Sequence, residues 1–122
     1  MEEELKSKVI GVDISIERTT LAIVDIRGNI LSEVSFVTSD YQNVSDYVSE
    51  LSDRLYMLME NNGGYEKIRS IGISAPSCSS ITGCIINAAN LPWKGEIPLA
   101  ALIRDRMGMA VAVGNDAHVA AL

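Results

Sequence analysis

The sequence has no cluster of basic residues. Its 10 Lys and Arg are scattered among 16 Asp and Glu, giving a formal net charge of -6. Without a basic stripe to neutralise phosphates, direct nucleic-acid contact by this segment is not expected. No apolar run approaches the ~18 residues needed to span a bilayer, so no membrane association is expected either. The opening Met1-Glu2-Glu3-Glu4 is acidic, the wrong sign for a targeting segment. Cysteine is scarce as well. Cys78 and Cys84 stand six apart with no second pair and no histidine beside them, which fits reduced thiols better than a disulfide or a zinc site. A cytoplasmic chain without a structural metal is the expectation.

What is present is a core. Of 122 residues, 48% are apolar, enough for one domain to fold without staples. Lys8 to Ile14 and Thr19 to Ile26 are β-branched runs that read as strands. Arg27-Gly28-Asn29 supplies a turn, and Ile30 to Thr38 alternates with Ile30, Val34 and Phe36 on one side, as a half-buried third strand does. Asn43 then caps a helix of about five turns whose apolar face is Val44, Val48, Leu51, Leu55 and Leu58. Asn61-Asn62-Gly63-Gly64 ends it. A strand follows from Ile68 to Ala75, stopped by Pro76. Gly83 to Asn87 reads as a short extended piece, and Asn90 to Gly95 as a loop. Pro98 opens a helix through Leu99, Leu102, Ile103 and Met107 to Gly108, Ala110 to Val113 reads as a strand, and Asn115 or Asp116 caps a helix barely begun at Leu122. The order is a meander followed by alternating helices and strands, an α/β chain with a mixed sheet and flanking helices. Ending on a first helical turn reads as a fragment.

Ligands of α/β sheets collect at the carboxyl ends of strands, where this sequence has Asp13, the Ser74 to Ser80 loop, Asn90 and Asn115-Asp116. Gly72-Ile73-Ser74-Ala75-Pro76, Gly83, Asn90-Leu91-Pro92-Trp93, Pro98-Leu99, Gly108 and Asn115-Asp116-Ala117 follow one another at spacings that resemble the ROK family of sugar kinases and sugar-responsive repressors. Ile10-Gly11-Val12-Asp13-Ile14 through Val24-Asp25 to Gly28-Asn29-Ile30 match its first strand and turn. The resemblance implies a ribonuclease H-like (actin-like ATPase) lobe, β-β-β-α-β-α-β-α, with residues 1–122 as the N-terminal lobe and the C-terminal lobe absent.

For function the resemblance implies transfer of the ATP γ-phosphate to a hexose hydroxyl by a glucokinase-like enzyme, or sugar sensing without catalysis in a transcriptional regulator. Asp116 would be the catalytic base, kept ionised beside a helix N-terminus. Asn115, Asn90 and Ser77 would contact the sugar, and Asp13 would stand near the nucleotide's magnesium. By residue type alone Asn115 and Asp116 read as caps, and Trp93 as core packing or as a sugar wall. ATP and Mg2+ are the cofactors expected of a full-length kinase, with none acting in the fragment. The expected partners are a hexose or hexose derivative, the chain's own C-terminal lobe, and a second copy through the apolar surface left open.

Two segments depart from the family pattern. Where the family has Asp-Ile-Gly-Gly-Thr-Lys after the first strand, this chain has Asp13-Ile14-Ser15-Ile16-Glu17-Arg18, with both glycines gone and a carboxylate at Glu17 where a phosphate belongs. Ser77-Cys78-Ser79 replaces Gly-Pro-Val, and His118 replaces the second Asn after Asn-Asp-Ala.

Overall fold

A computed structural model describes residues 7–76, 81, 83–86, 93 and 95–114. Strands β1 (Lys8–Ile14), β2 (Arg18–Asp25) and β3 (Ile30–Val37) form the predicted antiparallel meander. Helix α1 (Val44–Glu60) carries the chain back, so that β4 (Ile68–Ser74) lies parallel to β1. The short strands β5 (Ile85–Ile86) and β6 (Glu96–Ile97) pair with each other, and helix α2 (Leu99–Met107) leads to β7 (Val111–Gly114), parallel to β4. The five-stranded sheet runs β3-β2-β1-β4-β7.

Alternation along the strands decides which face is packed. Ile10, Val12 and Ile14 of β1, Leu21 and Ile23 of β2, and Ile71 and Ile73 of β4 share one buried cluster with Val48, Leu51, Leu55 and Leu58 of α1 and Leu99 and Ile103 of α2. Asn43 caps α1 as predicted, its side-chain oxygen accepting from the Ser45 amide at 2.8 Å. Gly108 ends α2 in the left-handed conformation at φ 68°. Gly83 leaves no room for a side chain: its φ is 73°, and a Cβ there would lie 2.6 Å from the Ala100 side chain.

Thr19, Thr38 and Tyr47 are fully buried and polar. The Thr19 hydroxyl sits 2.7 Å from both the Thr38 and the Tyr47 hydroxyls, so the three satisfy one another inside the core. Trp93 is core as well. Its ring centroid lies 4.3 Å from that of Tyr47, and its Nε1–H donates to the Tyr41 carbonyl at 2.9 Å.

Three sequence expectations change. Ile30 was expected on the buried side of β3 with Val34 and Phe36, yet it is 62% exposed. Ser32 pairs with Ile23 while Ile30 pairs with Val24, leaving Leu31 as an extra residue that turns Ile30 to the opposite face. Strand β6 falls on Glu96-Ile97, between the expected loop ending at Gly95 and the helix opened by Pro98, and was not anticipated, since two residues show no alternation. Several bounds move by one residue: β2 starts at Arg18, β4 ends at Ser74, and β7 covers 111–114. The helix expected from Asn115 lies outside the described residues.

Candidate functional site

The parallel pairing of β1, β4 and β7 builds one row at the carboxyl edge of the sheet. Asp13 pairs with Ser74 in register, and Ser74 pairs with Gly114. The Ala75 amide extends the ladder by donating to the Gly114 carbonyl at 2.9 Å. Asp13 falls between the buried Val12 and Ile14, so the pleat turns its carboxylate away from the core and leaves it exposed. Ser74 is buried beside it. The chain leaves this row at both predicted sites: Ser77 follows three residues after Ser74, and Asn115-Asp116 follows Gly114 directly.

An open depression of about 540 Å³ lies at this edge, lined by Asp13, Ile14, Ser15, Ile16, Glu17 and the Ser74-Ala75-Pro76 turn. Of the sequence-predicted site residues, Asp13 is therefore placed at a concave surface. Ser77, Asn90, Asn115 and Asp116 lie outside the described residues, as do Cys78 and His118. Among the described residues no group of three or more His, Cys, Asp or Glu side chains is placed to hold a metal, and no helix is long and apolar enough to cross a membrane.

The wall of the depression contributed by β1 and β2 is a two-residue hairpin. The Ser15 amide and hydroxyl both donate to the Arg18 carbonyl, at 3.0 and 2.9 Å. The Arg18 amide donates back to the Ser15 hydroxyl at 3.2 Å. The Glu17 carbonyl accepts from the Thr38 amide at 3.0 Å, which ties the tip to the buried hydroxyl group of Thr19, Thr38 and Tyr47. Arg18 does not balance the Glu17 carboxylate from inside the depression. Its guanidinium donates to the Ser35 hydroxyl on β3 at 3.0 Å. Described side chains thus give the depression two carboxylates, two serine hydroxyls and no cation.

ATP with magnesium fits this wall poorly. A phosphate cradle needs free amides and close backbone approach. Here the Ser15 and Arg18 amides bond within the turn, and the two residues between them carry an isoleucine and a carboxylate side chain. Sequence reading located the missing glycines but not the serine that closes the turn, because a serine after a strand carries no signal of its own partner. It also missed Tyr47, whose helical position follows the same spacing as the apolar face but whose hydroxyl partner, Thr19, comes from β2.

The model of the ROK family matches residues 9–122. The chain is 27% identical over 118 residues to the glucokinase of Halalkalibacterium halodurans, covering 93% of this chain and 34% of that protein. The ROK family glucokinase of Streptomyces griseus, solved in complex with glucose and AMPPNP, is 26% identical, with a TM-score of 0.76 over 88% of this chain and 33% of that one. A ROK family transcriptional regulator, a homologue of the E. coli MLC protein, shares the fold with a TM-score of 0.74 at 18% identity, over 93% of this chain and 28% of that one. The chain spans about a third of the length of these relatives. The mixed sheet with its helices is the actin-like, ribonuclease H-like lobe of such proteins. The first strand, the row at its carboxyl end and the match over residues 9–122 agree, and the chain belongs to the ROK family.

Proposed function

We propose that this chain is the N-terminal lobe of a two-lobed ROK protein and that it supplies the hexose-binding side of a site completed by the second lobe. The observation that supports this reading is the row Asp13, Ser74, Gly114, with Ser77 three residues after Ser74 and Asn115-Asp116 directly after Gly114 in the sequence. Asn115 and Asn90, each with two donors and one acceptor, suit neighbouring sugar hydroxyls, and Ser77 adds a third contact. Asp116 accepts a hydrogen bond from the hydroxyl that reacts in a kinase, or simply holds it in a sensor. Calorimetric titration of the two-lobed protein with hexoses and N-acetylhexosamines tests the reading. Heat of binding that disappears in Asn115→Ala supports it, and no heat with any sugar overturns it.

The family offers two uses for such a grip. In a sugar kinase of glucokinase type, Asp116 would take the hydroxyl proton as the ATP γ-phosphate is transferred, and Asp13 would stand near the magnesium. This use is supported by the 27% identity to a glucokinase. In a sugar-responsive regulator the hexose is bound and nothing is transferred. This second use is supported by the closed Ser15–Arg18 turn and the carboxylate of Glu17. A coupled ADP-release assay on the two-lobed protein and on Asp116→Asn separates them. Sugar-dependent turnover lost in the variant selects the kinase, and sugar binding without turnover in either selects the regulator.

A further inference from the structure

The hairpin between β1 and β2 differs from an inert loop in two respects. It closes on itself through one side chain, since the Ser15 hydroxyl both accepts from the Arg18 amide and donates to the Arg18 carbonyl. It also sets the carboxylate of Glu17 on the wall of the same depression that holds Asp13. A polyphosphate entering there meets two negative side chains, and the one cation of the turn, Arg18, is bonded to Ser35 on β3. Like charges at a few ångströms repel at any dielectric, more strongly where water is thinned. The tip is not free to swing aside either, because the Glu17 carbonyl is bonded to the Thr38 amide, and Thr38 is anchored through Thr19 to Tyr47.

We infer that Ser15 and Glu17 are specificity-determining residues that bar nucleoside triphosphates from this lobe, so that the protein responds to its sugar without a nucleotide. The inference rests on the hexose-binding reading above and selects the nucleotide-free use of that site. Ser15 acts by occupying the Arg18 amide with its hydroxyl. Glu17 acts by charge. Neither role depends on the sugar contacts, so removing these side chains leaves hexose affinity unchanged.

The test uses the two-lobed protein and two separate titrations, one with hexoses and one with AMPPNP and magnesium. Wild type is expected to show no AMPPNP heat up to millimolar concentration. Glu17→Gln, an exposed change at the turn, is expected to bring weak binding into range, and Ser15→Gly with Ile16→Gly and Glu17→Thr at least about tenfold tighter binding than Glu17→Gln. AMPPNP binding by wild type overturns the inference while leaving the hexose reading intact. Failure of both folded variants to gain AMPPNP binding also overturns it, because the barrier would then lie outside Ser15 and Glu17. If the triple variant does not fold, Glu17→Gln alone decides. Absence of hexose binding overturns the hexose reading, and the nucleotide titration still reports on the hairpin.

Discussion

Tyr47 is a helix residue with its hydroxyl in the core, and burial pushes that hydroxyl's pKa upward against the bond from Thr19. The group therefore stays neutral and acts as a hydrogen-bond partner. Tyr47→Phe keeps the ring against Trp93 and leaves Thr19 bonded to Thr38, so one buried bond is lost. We expect a cost of about 1 kcal/mol in urea unfolding. Two surface carboxylates contribute to stability against acid. The Asn29 amide, with help from the Arg27 amide and the Asn29 side chain, holds Asp25 below the usual carboxylate range, and the Arg54 guanidinium does the same for Glu50. Groups with lowered folded-state pKa contribute stability above their unfolded value, about 4, and lose it as pH falls through the lower folded value. The unfolding midpoint is expected to drop below pH 4 and to drop less in Asp25→Asn. An equal drop in both proteins would show that the turn carboxylate is not responsible.

At the scale of elements, what the sequence made legible depends on length. Helix α1 was readable to its cap because 17 residues repeat the apolar spacing nearly five times and Asn43 stands where the repeat begins. Strand β6, with two residues, offers nothing to repeat. Ile30 misled because alternation assumes an unbroken pleat, and the extra residue Leu31 is invisible until β2 is laid beside β3. The junction of Gly83 with α2 is an element contact sensitive to substitution. Gly83→Ala meets both the positive φ of 73° and the Ala100 side chain. Strain of this kind costs about 1–3 kcal/mol, and thermal unfolding of the variant is expected to show a lowered midpoint. A midpoint equal to wild type would mean that the Ala100 end of α2 moves aside without loss.

For the molecule as a whole, the chain spans about a third of the length of its relatives, and the proposed function makes it one wall of a cleft. The ROK assignment was legible because Gly72 through Pro76, Pro98-Leu99 and Gly108 are punctuation whose order survives low identity. The site was legible in part. Asp13 lies at the strand end where the sequence put it, whereas the state of the hairpin depended on hydrogen bonds among Ser15, Arg18, Ser35 and Thr38 that no linear pattern encodes. Residues 1–122 on their own are expected to release no ADP with any hexose, measured by the same coupled assay. Sugar-dependent release by this chain would show that one lobe suffices.

The row Asp13, Ser74, Gly114 also acts as a ruler. Two steps across a parallel ladder separate the backbone at Asp13 from the backbone that enters Asn115, a span of about 10 Å set by strand spacing. Side-chain changes at either end leave that span untouched. Under the proposed hexose-binding function, discrimination between one sugar and another would then come from which atoms the ends present, while the spacing of those ends stays constant across variants.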